Sequence, residues 1–212
     1  MTTKGKLKVF FDNEQDYMKL VEKYEENINF FNDLLKNGHK EDLEFVIPIK
    51  IYKYAFSLDR KGLYTKALSV ANEVENDLEK LRGQSQWYKV YCEGLLHLKG
   101  CCFGRLKKYK ESNKYFKELL KKEPTNDKYI EWYQLNKEDQ IYDISNSIVI
   151  IAMSIAIICI VLKLINIFDL TNTFLTYRML SIVEALAFLV ALFSWVGSYI
   201  WKKIINKQKI KF

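Results

Sequence analysis

The chain is poor both in residues that punctuate a fold and in residues that catalyse. Two prolines and eight glycines among 212 residues leave little material for tight turns, which points to long helices. The only short β-like stretch is KLKVFF, Lys6–Phe11; no run of alternating β-branched residues is bounded by turn signals. Histidine occurs twice, as His39 in a loop-like stretch and His97 within a helical pattern. No Ser/His/Asp or Cys/His set, HExxH motif, catalytic carboxylate pair or glycine-rich phosphate loop can be assembled, so neither enzymatic activity nor a cofactor is expected. The four cysteines, Cys92, Cys101, Cys102 and Cys159, lack ligand spacing for a metal. They read as reduced, buried thiols of a cytosol-facing protein. The N-terminus carries positive charge but no apolar core or small-residue cleavage site, so no signal peptide is expected.

What the chain does have is two long apolar runs. Ile148–Leu162 contains no charge, proline or glycine, and extended to Phe168 it covers the ~20 residues a helix needs to cross a bilayer. Met179–Trp201 is a second run, interrupted by Glu184 alone. We expect an integral membrane protein with spans at about 146–168 and 177–201. The corresponding domains are a helical domain over 1–143, a transmembrane hairpin over 144–204 and a basic tail over 205–212. Charge supports the division: residues 1–145 hold 26 Lys and Arg against 24 acids, whereas 146–212 hold 7 against 2. Excess Lys and Arg stays in the cytosol and two spans return the chain to its starting side. The helical domain and the tail are therefore both expected to be cytosolic.

Lys163 and Glu184 are the ionisable residues inside these runs. An antiparallel hairpin turning near Asp169–Thr173 brings them within a helical turn of one another, allowing an interhelical pair, although Lys163 could instead snorkel to the interface. Glu184 reads either as a hairpin-stabilising group or as a pore-lining or oligomer-contact residue. Small residues spaced by four, Ala152/Ala156, Ala187/Ala191 and Ser194/Ser198, permit close helix approach within one chain or between copies.

The polar part reads as all-α. Apolar periodicity predicts helices over Asp12–Lys36, Glu41–Lys61, Leu63–Arg82, Ser85–Leu106 and Lys108–Lys122. A sixth, Lys128–Asp143, is expected to run on into the first span. Pro48 predicts a kink in the second helix or a later start near Ile47. Gly38, Gly62, Gly83 and Pro124 serve as stops.

Within this pattern GCCFGRLKKYKESNKYFKELLKKEP, beginning at Gly100, resembles a tetratricopeptide repeat, a helix–turn–helix unit of about 34 residues. Gly100 and Phe103 stand at the small and aromatic positions of the first helix. Tyr109 opens the second, Ser112 takes the place of the usual Ala, Phe116 fills the aromatic site and Pro124 ends the unit. AFSLDRKGLYTKALSVANEV is a weaker match: Ala55, Gly62, Tyr64 and Ala67 fit, Ala71 replaces an aromatic, and Ala67 precedes Ser112 by 45 residues. Small residues at crossings also suit a generic helical bundle.

The resemblance implies a groove lined by the first helix of each unit: Ile49, Tyr52, Phe56 and Arg60, then His97, Cys101 and Arg105. Such a groove would take a peptide or partner helix with hydrophobic anchors and acidic flanks. The alternative is that Tyr52 and Phe56 only pack beneath the N-terminal helix. The family's carboxylate-clamp pattern of Lys and Asn is missing, so chaperone-tail binding is not implied. Lys99–Lys122 holds nine basic residues, with a face of Lys107, Lys108, Lys110, Lys114, Lys117 and Lys121. That face suits anionic lipid, an acidic partner or plain solvation. Near-neutral charge over the first 145 residues and the absence of a recognition motif argue against nucleic acid. The functional expectation is a membrane-anchored adaptor for a protein or peptide partner. The alternative is a two-span effector whose hairpins self-associate and permeabilise the membrane, of toxin or phage-defence type.

Overall fold

The computed structural model describes residues 2–168 and 174–207, with side chains over 2–164 and 178–204. The described residues are all-α. They divide into two compact units, one reaching Tyr133 and the other starting at Gln134. The expected turn at Asp169–Thr173 and most of the tail lie outside the described residues.

In the first unit the stretch predicted as one helix, Asp12–Lys36, forms two, α2 (Tyr17–Glu26) and α3 (Ile28–Asn37), and a further helix, α1 (Thr3–Asn13), precedes them. The β-like KLKVFF is helical, because its Leu7 and Phe11 lie one turn apart and both are buried. Asp16 begins α2 by accepting the Met18 amide at 2.7 Å. A column of rings ties these helices to the next. Phe11 lies 6.0 Å from Phe31, Phe31 stacks on Tyr24 at 4.6 Å, and Tyr24 stacks on Tyr54 at 4.1 Å.

The Glu41–Lys61 prediction is met by one continuous helical run with a change of pitch. α4 (Lys40–Pro48) passes into a π-helical stretch, Ile49–Ala55, and then into α5 (Phe56–Arg60). Pro48 has no amide hydrogen and crowds the preceding turn, so the regular ladder cannot continue through it. The chain responds by widening rather than stopping. The wide turns bury Ile51, Tyr54 and Ala55 while leaving Tyr52 37% exposed.

α6 (Tyr64–Glu79), α7 (Tyr88–Arg105) and α8 (Tyr109–Lys122) complete two helical hairpins, α5/α6 and α7/α8. Their turns repeat at an interval of 45 residues. Gly62 has φ +80° and Lys107, 45 positions later, has φ +60°. Leu63 N donates to Leu58 O and Lys108 N to Phe103 O, both at 2.9 Å. Ala67 and Ser112 occupy equivalent buried positions. Ser112 satisfies its hydroxyl on Gly100 O at 2.7 Å. A Cβ added at Gly100 would lie 2.9 Å from the Phe116 ring, so the α7/α8 crossing requires glycine there. α9 (Asp127–Phe168) starts at Asn126, whose side chain accepts the Lys128 amide at 3.2 Å.

In the second unit α9 and α10 (Phe174–Lys207) form an antiparallel pair. Ala152, Ala156 and Ala187 are buried against one another, with Ala191 beside them. At one end Ser145 Oγ donates to Ser194 O at 3.0 Å, and towards the other Lys163 Nζ is ion-paired with Glu184 Oε2. Both helices are long and apolar enough to cross a membrane. Only 17% and 6% of their apolar windows are buried within the protein, unlike the core helix of a soluble fold.

Candidate functional site

The expected groove residues all lie in the first unit, and the structure separates them into three groups. Phe56 of α5, His97 of α7 and Tyr129 of α9 form a row of rings across successive helices, with centroids 5.8 Å and 5.6 Å apart. Phe116 supports His97 from α8 at 6.0 Å. Arg60 and Lys128 stand exposed beside this row, and neither is in an ion pair among the described residues. Both cations, together with burial as the main cause, hold the His97 imidazole below its ordinary pKa. Its Nε2 is buried without a hydrogen-bond partner among the described residues.

Ile49, Tyr52 and Cys101 have other surroundings. Tyr52 donates its hydroxyl to Val90 O at 2.9 Å and stacks on Phe56 at 6.1 Å. Burial raises its pKa to about 12. A Cβ at Gly94 would fall 2.3 Å from the Tyr52 hydroxyl, so glycine in the middle of α7 makes room for that ring. Ile49 is buried and, with Tyr52, borders a separate cavity of about 480 Å³ against α1, whose walls include Lys4, Phe11 and Phe45. Cys101 is 4% exposed, so it is not presented at the surface, and burial pushes its thiol up to about 12.

Arg105 is committed to structure. Its guanidinium pairs with Asp59, which is 2% exposed, and lies 5.7 Å from the Tyr64 ring and 5.6 Å from that of Trp132. It therefore joins the first hairpin to the second and is not free to meet a ligand. Tyr129 is the residue of this row that periodicity missed, because it opens a helix whose sequence is dominated by the later apolar run. The 40–60 stretch showed only a proline, with nothing to indicate which way Tyr52 would turn.

The basic face is exposed at Lys107, Lys108, Lys110, Lys114, Lys117 and Lys121. Lys99, counted within the same basic run, is a correction: it is 4% exposed and pairs with Glu75 at 2.8 Å. All four cysteines are free thiols, and among the described residues no group of three His, Cys, Asp or Glu side chains could hold a metal.

The chain matches no protein-family model, no curated protein and no solved structure. The fold itself is helix–turn–helix packing compatible with a helical repeat, joined to two helices of membrane-crossing length.

Proposed function

We propose that this protein is a membrane-anchored adaptor of tetratricopeptide-like construction, recruiting a protein or peptide partner on the cytosolic face of a membrane. The observation that carries this reading is the row Phe56–His97–Tyr129, flanked by exposed Arg60 and Lys128. An aromatic floor with unpaired cations at its rim suits a segment that places an apolar side chain on the rings and carboxylates beside it. The 45-residue repetition of the turn, including a positive φ at both Gly62 and Lys107, supports the repeat construction. Anchoring such a weak site to a surface raises its effective concentration against partners on that surface without any new contact.

The Lys163–Glu184 pair favours an anchor over a pore. Each charge is compensated within one hairpin, which removes the strongest reason for Glu184 to seek a neighbouring copy. The test is in-cell crosslinking followed by capture from solubilised membranes, comparing the natural chain with Arg60→Glu/Lys128→Glu. Loss of a specific crosslinked partner in the variant is expected. An identical set of partners in both would refute the groove, and crosslinks confined to copies of this chain would favour the self-associating effector.

A further inference from the structure

A second surface lies on α8, apart from the aromatic row. Lys110, Lys114, Lys117 and Lys121 recur at four and three, which places them within about 60° of helix circumference and along about 17 Å of its length. The opposite side of α8 is locked inward by Tyr109, Ser112, Phe116, Leu119 and Leu120, all buried. The stripe therefore cannot turn into the core.

Several cations elsewhere in the fold are paired. Lys4 meets Asp42, Lys50 meets Glu73 and Asp77, Lys66 meets Glu25, Lys99 meets Glu75, and Arg105 meets Asp59. Among the described residues no carboxylate lies within ion-pair distance of Lys110, Lys114, Lys117 or Lys121. Residues 107–123 carry seven lysines against three glutamates.

Two features choose the partner. Among the described residues no large hydrophobic side chain between Val90 and Leu135 is exposed, so this face lacks the apolar anchor around which protein interfaces are built. It offers charge alone. The chain also carries its own candidate: 14 residues lie between Tyr133 and the apolar run at Ile148, a reach of at most about 50 Å even fully extended. A bilayer crossed by that run is therefore tethered to the same chain as α8, which raises its effective concentration at the stripe above that of any free partner.

We propose that the lysine stripe of α8 docks on anionic phospholipid headgroups of the membrane in which the chain is anchored. The stripe holds the domain against the bilayer when the lipid is anionic and releases it when the lipid is neutral or salt is high. This inference rests on the anchor reading but not on the aromatic groove, so the groove's failure in crosslinking would leave it standing.

The experiment places the full chain in nanodiscs of either pure zwitterionic lipid or a zwitterionic–anionic mixture. A water-soluble amine-acetylating reagent then reports each lysine by mass spectrometry, with exposed Lys36 and Lys89 as internal references. In anionic discs at low salt we expect the four stripe lysines to react at least about five-fold more slowly, the factor for a single lysine near such a surface. At roughly 0.5 M salt, with the screening length cut to a few ångströms, the protection should vanish. Equal labelling in both lipids would overturn the proposal. So would protection in zwitterionic discs, which would indicate a protein contact, or equal protection of Lys36 and Lys89, which would indicate non-specific adsorption.

Discussion

Removing Arg105 should be far more damaging than its position at a helix end suggests. Asp59 is 2% exposed, and among the described residues its carboxylate has, apart from Arg105, only the Cys102 thiol, with Sγ at 3.5 Å, as a side-chain hydrogen-bond donor. Arg105→Ala leaves that charge buried and uncompensated, a situation that costs about 3–5 kcal/mol. The lost ring contacts with Tyr64 and Trp132 add about 0.5–1 kcal/mol each. Against a total stability of about 5–15 kcal/mol, this is a large fraction of what holds the domain folded. The reverse deletion should hurt less, because the Arg105 side chain is 23% exposed and can turn to water when Asp59 is truncated. Asp59→Leu with Arg105→Met removes both charges and should recover most of the loss, since apolar replacement of a buried pair is often neutral. Urea titration of the full chain in detergent, followed by circular dichroism, measures all three. If Arg105→Ala lowered stability by less than about 1 kcal/mol, or the double variant were no better than the single, the pair would not be the joint between hairpins.

In the second unit, Lys163→Leu should leave Glu184 unpaired in the apolar pair of helices, a penalty of roughly 2.5–3.5 kcal/mol on the insertion scale. Adding Glu184→Leu should restore it, read as the yield of membrane-inserted, protease-protected hairpin; equal yields for single and double variants would break the argument. Gly62 at φ +80° should lose about 1–2 kcal/mol on substitution by Ala, whereas Lys107→Gly should leave stability about unchanged or raise it, because the same turn already tolerates a strained side chain there. Chemical denaturation distinguishes these, and equal effects at both sites would mean the turns are not equivalent. His97 is depressed below its ordinary value, about 6.5, so the unfolded chain binds the proton more readily. Its contribution is full above the unfolded pKa and is lost as pH falls towards the folded one, so stability should decline below about pH 6.5. His97→Phe should flatten that part of the stability profile; an unchanged slope would show that the imidazole titrates freely.

Helix class and the separation into a polar part and an apolar pair were legible from local sequence, because each depends on periodicity and run length. Gly62, Gly83 and Pro124 marked ends correctly for the same reason: backbone preference acts where the residue stands. The Ala152/Ala156 and Ala187/Ala191 spacing likewise indicated which sides of the apolar helices approach one another. Three decisions were not local. KLKVFF alternates like a strand, yet its fate depended on the ring column into which Phe11 fits beside Phe31 and Tyr24. Pro48 announced an interruption but not its form: the π-helical stretch that follows it sets Tyr54 on Tyr24 and Tyr52 against the Val90 carbonyl, both partners distant in sequence. Among the basic residues, composition could not tell Lys99, sunk against Glu75, from Lys114 in solvent, nor Arg105, spent on Asp59, from Arg60 at an open rim. Hydrophobic periodicity is written in neighbouring residues and survives without a partner. A charge becomes structural or available only when the chain folds back, across 46 positions in the case of Asp59 and Arg105, to supply or withhold its counterion.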